Sequence, residues 1–371
     1  MKISLYDLNS TKIDISTKRK LTIQIGLENL IKQDNLTFDI YPVENPSHPE
    51  RHFGYWVFSN LEEGKYYLNL DLTRMDEKSV NLLKNNIKLP LESYWVNENK
   101  SLDPLLNFQI VIRRKEEIVK MVHLFLILKN PEELEKFYKE NGGKYEIDTL
   151  NLAFHNRRLK VLKSVFKKYF GKGDRILDAG SGIGILKMLS NPMNNEVYCL
   201  DIDYNHDIKQ GENNIFYIIG NADNPPFKRN QFDSLYSGEL IEHLLRPKET
   251  LREWNKLLKK NGHLIITTPN INRIINRARG YKIPLSKEHI NELCLKEVLE
   301  LFKESGFKIL KKRGIYLELF VTWWRKENVV DLFQTRFNKK WAYPFIQLLM
   351  ILGYFFPSLA LDMIIIAKKN S

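Results

Sequence analysis

From residue 175 onward, short apolar runs alternate with stretches long enough for helices. The runs are RILDAG, EVYCLD, IFYIIG, FDSLYSG, HLIITTP, FKILKKRGIYLELF and MIIIAKK. Alternation of this kind predicts a doubly wound α/β sheet. In such a sheet ligands bind at the carboxyl ends of the strands, at the point where the strand order reverses. The chemistry of this half of the chain is therefore sought in the loops that follow its strands.

The first 130 residues have a different rhythm. KIDISTKRKLTIQIGLENL, NLTFDIYPV, FGYWVFSN, KYYLNLDLTRM, ESYWV and LNFQIVIRRKEEIVKMVHLFLIL read as strands, separated by turn-rich pieces such as NPSHPE and NLEEGK. Tyr67-Leu68-Asn69-Leu70-Asp71-Leu72 alternates apolar and polar residues, the mark of a sheet with one wet face. A β-sandwich-like accessory domain over 1–130 is expected. Its aromatics Phe53, Tyr55, Trp56, Tyr66, Tyr67, Tyr94 and Trp95 fill a sandwich core or line a sugar-binding face. Residues 131–170 read as a helical linker. Pro131 followed by acids opens one helix, and Leu159, Leu162, Phe166 and Phe170 share one face of a second. Arg157, Arg158, Lys160, Lys163, Lys167 and Lys168 occupy the rest of that helix, as on a solvated face. Residues 171–371 form the α/β domain. At 371 residues, two or three domains are expected in all.

Composition excludes several classes. An apolar content of 43% with 27% charged residues belongs to a globular chain, not to a disordered one. Two cysteines, Cys199 and Cys294, make no disulfide framework, and no Cys/His spacing suggests zinc. MKISLYDLNS turns polar by its sixth residue and does not read as a signal peptide, so a cytoplasmic protein is expected. A net charge of +12 fits an anionic partner or a lysine-rich composition equally.

The first strand runs into Asp178-Ala179-Gly180-Ser181-Gly182-Ile183-Gly184. Glycines at 180, 182 and 184 let the backbone turn sharply and approach a ligand. The dinucleotide fingerprint would need glycine at 185, which is Ile185. The second strand ends at Asp201, placed to accept hydrogen bonds from ribose hydroxyls. The third leads to Gly220-Asn221-Ala222-Asp223 and Asn224-Pro225-Pro226-Phe227. The fourth contains Phe232-Asp233 and leads to Gly238-Glu239-Leu240-Ile241-Glu242-His243. The fifth block is Gly262-His263-Leu264-Ile265-Ile266-Thr267-Thr268-Pro269-Asn270.

These five ordered blocks resemble the class I S-adenosylmethionine-dependent methyltransferases of the broad ubiquinone/menaquinone-biosynthesis-like group. The resemblance implies a Rossmann-like seven-stranded sheet and S-adenosyl-L-methionine as cofactor. Carried over position by position, Asp178, Gly180, Ser181, Gly182 and Gly184 would cradle its methionine part. Asp201 would hold the ribose hydroxyls, with Ile202 packing on the adenine. Asn221 and Ala222 would meet the adenine edge, and Gly238 and Glu239 would lie beside the methionine end. The family's usual Asp before the alanine is Asn221 here, though an amide also bonds an adenine amino group. Tyr198-Cys199 replaces a commonly small pair. Asp233 reads as a turn tie.

Residues of about 270–292 read as a lid over the cleft. Arg273, Arg277 and Arg279 grip an acceptor phosphate or carboxylate, or lie on a solvated face. A hydroxyl acceptor needs help in losing its proton, and His289 and His243 are the available bases. No acids stand at metal-ligand spacing, so no metal is expected. The apolar stretch of about 341–356 is too short to span a bilayer and reads as a helix that packs on the sheet or meets a membrane. A final strand, Met363–Ala367, follows.

The expected activity is O-methylation of a glycan or lipid-linked saccharide hydroxyl, in the cytoplasm or peripherally at the inner membrane face. A lipid- or quinone-type methyltransferase and a non-catalytic binding module of the same fold are the rivals. A nucleic-acid enzyme is disfavoured: Asn224-Pro225-Pro226-Phe227 resembles the tetrad of amino-methylating DNA enzymes but follows strand three, not strand four.

Overall fold

The computed structural model describes residues 2–6, 12–14, 20–28, 36–42, 55–58, 64–71, 79–82, 87–90, 105–114, 117–127, 130–141, 153–182, 184–190, 194–203, 214–279, 284–286, 288–318 and 343–370. The chain divides into two compact units. One comprises 1–136 with 286–288, the other 137–285 with 289–371.

Among its described residues the first unit holds ten strands: β1 (Lys2–Tyr6), β2 (Lys12–Asp14), β3 (Lys20–Glu28), β4 (Leu36–Pro42), β5 (Tyr55–Phe58), β6 (Gly64–Asp71), β7 (Ser79–Leu82), β8 (Ile87–Pro90), β9 (Leu105–Arg114) and β10 (Glu117–Ile127). They form two five-stranded sheets, ordered β1-β3-β6-β7-β8 and β2-β10-β9-β4-β5. All pairings are antiparallel except β10 with β2. The expected strand ESYWV lies outside the described residues, as do Phe53, Tyr94 and Trp95.

Helix α1 (Pro131–Asn141) bridges the division, and α2 (Ala153–Tyr169) opens the second unit's layers. The seven strands are β11 (Arg175–Ala179), β12 (Glu196–Asp201), β13 (Ile215–Ile219), β14 (Phe232–Gly238), β15 (Leu258–Pro269), β16 (Phe307–Ile315) and β17 (Asp362–Lys369). Their order is β13-β12-β11-β14-β15-β17-β16. The first five run parallel, and β17 inserts antiparallel between β15 and β16. The order reverses at β11, so the crevice where ligands bind opens beside the carboxyl end of that strand.

Each strand sends alternate residues to opposite faces, and two apolar cores result. Ile176, Val197, Tyr236, Ile265, Ile364 and Ile366 pack under α2, α3 (Ile185–Ser190) and α7 (Tyr343–Phe355). Leu177, Leu200, Leu235, Leu264, Ile266 and Ile365 pack under α4 (Pro247–Leu257) and α6 (Leu295–Glu304). Each such side chain contributes about 1.5–3 kcal/mol relative to exposure. Pro247 starts α4 at its first turn, where a missing N–H costs nothing. Glu297 reaches back to the Cys294 amide at 2.7 Å to start α6. These two starts matter because the loops before them carry site residues. Asp233 accepts from the Arg175 amide at 3.0 Å and from Lys259 at 2.7 Å, tying the amino ends of β11 and β14. Among the described residues no helix is long and apolar enough to cross a membrane.

Candidate active site

The loop after β11 is held by the neighbouring strand. The amides of Gly180 and Ser181 donate to the Leu200 carbonyl at 2.8 and 3.0 Å. Gly180 has φ +70°, and a Cβ there would sit 2.8 Å from a Leu240 methyl. Gly180→Ala is therefore expected to destabilise the fold by about 1–2 kcal/mol for the left-handed backbone alone. A denaturant melt with an unchanged midpoint would contradict that. Gly182, at φ +46°, is open: among the described residues no heavy atom lies within 4 Å of the Cβ position. Gly184 closes the loop by donating to the Ser181 carbonyl at 2.8 Å.

Asp178 stands at the root of this loop, 1% exposed. Among the described residues its Oδ2 has no hydrogen-bond partner. Burial, with the negative charge of Asp201 adding to it, pushes its carboxyl from 3.8 up to about 8, against the pull of the Leu186 amide. Asp201, at the tip of β12, accepts from the Gly182 amide at 2.8 Å and from the Asp203 amide at 3.3 Å. Burial raises its carboxyl too, and these backbone donors offset only part of the rise. Ile202 follows it, half-buried.

After β13, Asn221 Oδ1 accepts from the Asp223 amide at 2.8 Å and closes a tight turn. Ala222 is buried, and its carbonyl accepts from the Trp254 indole at 2.8 Å. Trp254 belongs to α4, so that helix fixes the height of the third loop. Asp223 in turn bonds the Thr250 hydroxyl of the same helix.

At the end of β14, Gly238 leads into Glu239, which adopts φ +53° without being glycine. Arg158 bonds its carboxylate and also donates to Thr267 Oγ1 at 3.1 Å. Asp362 lies 3.8 Å from the same guanidinium. Arg158 is thus not on the solvated face that the sequence suggests. It anchors α2 to the ends of three strands.

Ile241–His243 then form a single 3-10 turn. Glu242 is fully buried, and its Oε2 accepts from Thr268 at 3.0 Å. Burial, then the charge of Glu239, raises its carboxyl well above the ordinary range. His243 lies edge-on to Tyr138, with centroids 5.2 Å apart, and edge-on to His289 at 4.9 Å. His289 Nδ1 is 3.1 Å from Glu292 Oε2. Glu292 also takes Arg273 Nη1 at 2.8 Å and the Leu285 amide at 2.5 Å. Burial pushes the Glu292 carboxyl up, but Arg273 and His289 together hold it below its usual value.

Arg273 is itself buried, between Glu292 and Glu318, the latter at 3.5 Å. Its guanidinium is committed to orienting Glu292. Arg277 is exposed on α5 (Ile274–Arg279), and the Arg279 side chain lies outside the described residues. The fold therefore gathers Asp178, the glycine loop, Asp201, Glu239, Glu242, His243 and His289 around the carboxyl ends of β11, β12, β14 and β15. Glu242, Glu292 and Arg158 are the members that motif reading passed over.

A family model described as a methyltransferase domain matches residues 122–312, just over half of the chain. An uncharacterised protein of Methanocaldococcus jannaschii is 28% identical over 189 residues, covering 49% of this chain and 81% of its own length. The ubiquinone/menaquinone biosynthesis C-methyltransferase of Wigglesworthia glossinidia brevipalpis is 30% identical over 139 residues, 34% of this chain and 56% of its own. A Haemonchus contortus phosphoethanolamine N-methyltransferase 2, solved in complex with S-adenosyl-L-methionine, is 18% identical with a TM-score of 0.42, covering 68% of this chain and 63% of that one. A family match of that extent, on a sheet that reverses at its glycine-loop strand, makes this chain a member of the class I S-adenosylmethionine-dependent methyltransferases.

Proposed function

We propose that the protein methylates a hydroxyl group, on a glycan or a lipid-linked saccharide. The observation that carries this reading is the chain Arg273–Glu292–His289, which ends in an imidazole beside the β14 tip. An amine attacks as its free base, but a hydroxyl must lose a proton, and a positioned imidazole contributes to that step.

The residues fit the cofactor. S-adenosyl-L-methionine supplies a methyl group on a positively charged sulfur. The orphaned, buried Asp178 Oδ2 calls for a donor or a positive charge, and the open face of Gly182 leaves room for it. Ser181, Gly180 and Gly184 shape the cradle for the methionine part. Each carboxylate oxygen has two lone pairs, so Asp201 keeps acceptor capacity for ribose hydroxyls after its backbone bonds. Ile202 borders the adenine, Asn221 and Ala222 take its edge, and Gly238 with Glu239 bounds the methionine end. Asp201→Ala is expected to weaken S-adenosylhomocysteine binding by about 1.5–3 kcal/mol. Calorimetric titration measures this, and an unchanged affinity removes Asp201 from the site.

The lipid-linked part of the reading draws on α7. Ile346, Leu349 and Met350 are buried, yet Leu348, Ile351 and Phe355 are exposed, with Phe355 at 67%. Lys311 and Arg313 sit over the Tyr354 ring on the same element. An apolar strip flanked by cations suits an anionic lipid surface. The glycan part of the reading draws on the aromatic residues Tyr55, Trp56, Tyr66 and Tyr67 in the sequence of β5 and β6.

The test is transfer of labelled methyl to a panel of saccharide, lipid-linked saccharide, quinol and amine acceptors. Transfer to the hydroxyl acceptors supports the reading. Transfer to quinol carbon alone supports the lipid- or quinone-type rival. Cofactor binding without transfer to any of them favours the binding module.

A further inference from the structure

Glu242 and His243 come from the 3-10 turn after β14, and His289 from the segment before α6. One ligand atom of each lies within 4.8 Å of the other two. Two independent observations single out this trio. The first is Glu242 Oε1, a fully buried carboxylate oxygen with no hydrogen-bond partner among the described residues. Leaving such an oxygen unbonded is costly, and a cation is one partner that removes the cost.

The second observation is the orientation of His289. Arg273 and the Leu285 amide both donate to Glu292, so Glu292 is the acceptor toward the imidazole as well. His289 Nδ1 is then the donor at 3.1 Å, and the ring's lone pair sits on Nε2. A carboxylate fixing one imidazole nitrogen while the other faces a ligand is the arrangement found behind metal-bound histidines. His243 stands edge-on to that ring at 4.9 Å.

We propose that Glu242, His243 and His289 bind a divalent transition-metal cation, which holds and acidifies the acceptor hydroxyl. Two imidazoles with one carboxylate favour zinc, iron or manganese over calcium or magnesium. Three protein ligands leave coordination positions open for the acceptor oxygen. Ligand atoms about 2.1 Å from an ion stand at most about 4.2 Å apart, so small side-chain rotations close the set. On the cation the O–H bond breaks with its electron pair kept by oxygen, and the proton leaves to solvent. What the cation does rests on the hydroxyl-acceptor reading; that it binds does not.

The experiment uses the full chain, stripped of metal and titrated with Zn2+ and with Mn2+ alone. One ion per chain is expected by calorimetry. The Mn2+ complex is expected to show coupling to two imidazole nitrogens in its electron spin echo spectrum, a readout that needs no variant. Glu242→Gln and His289→Gln should each weaken the ion by about tenfold or more. S-adenosylhomocysteine binding reports that each variant is folded. No ion bound, no nitrogen coupling, or undiminished binding in both folded variants overturns the site. A bound ion with two nitrogen couplings supports it even if the acceptor panel shows no hydroxyl transfer, so the two readings fail separately.

Discussion

Asp178→Asn is expected to stabilise the apoprotein above neutral pH and to weaken its hold on the cofactor. The folded Asp178 carboxyl titrates near 8, against 3.8 ordinarily, because it is buried and faces Asp201. Between these values the folded state keeps a proton that the unfolded chain has released. Stability is therefore intact below about pH 4 and is lost as pH rises toward 8, at about 1.4 kcal/mol per pH unit. The loss reaches on the order of 5 kcal/mol. Asp362, raised to about 7 first by burial and then by Glu239, adds to the same trend. Asparagine removes the Asp178 share of the slope. Its amide group inherits the orphaned Oδ2 position as an unbonded donor, costing about 1–3 kcal/mol. The net gain is then about 2–4 kcal/mol at pH 8, with a deficit of about 1–3 kcal/mol at pH 4. The two stability curves should cross, and denaturant melts at several pH values would reveal it. Above about pH 8, where Asp178 is ionised, S-adenosylhomocysteine affinity should fall by about 1.5–3 kcal/mol, the size of one charge-assisted hydrogen bond. Parallel curves, or a variant that binds as tightly as the parent, would remove Asp178 from the cofactor cradle.

The parts of the site legible in the sequence are those that one stretch of chain carries. Asp178, the glycines and Asp201 are readable because one strand–loop–helix unit and the next strand tip carry them within a short stretch. A local motif needs no knowledge of the rest of the fold. The alternation of apolar runs likewise gives the sheet, since burial on both faces imposes it strand by strand. Arg158 was not legible. It lies among lysines on a helix whose composition suggests solvent, and only the packing of α2 across the strand ends brings it to Glu239 and Thr267. Arg273 misleads in the same way. A basic residue at the start of a lid helix reads as an anion grip, yet Glu292 and Glu318 enclose it. The nearness of Glu242 to His289 depends on where the lid segment returns, through the Asn291 amide bonded to the Glu242 carbonyl at 2.7 Å. No spacing rule along the chain encodes that return. Strands β1, β7 and β8 lie outside the expected runs: each mixes two or three apolar residues with polar ones or proline, whereas the equally short β5, Tyr55–Phe58, is apolar throughout.

His289→Gln is expected to lower kcat by about 10²–10⁴-fold, the usual weight of a positioned acid–base group. The affinity for S-adenosylhomocysteine should stay within about twofold, which is under half a kcal/mol. Glutamine keeps a polar side chain that can meet Glu292, and Arg273 still holds that carboxylate through its own bond. The cofactor cradle depends on Asp178, the loop amides and Asp201, and among the described residues none of these is bonded to the imidazole. The loss should therefore fall on the transition state, with the acceptor KM changing less than kcat. It does so whether the imidazole takes the proton itself or ligates a cation that acidifies the hydroxyl, because both routes act on the acceptor oxygen. Glu292→Gln should show a smaller defect of the same kind, since it removes the group that orients His289 and not His289 itself. A His289 variant with full kcat would mean that the ring only packs between His243 and Glu292. The acceptor proton would then have to go to another group, such as Glu239, which is bonded to Arg158, or Asp362, 3.8 Å from the same guanidinium and raised to about 7.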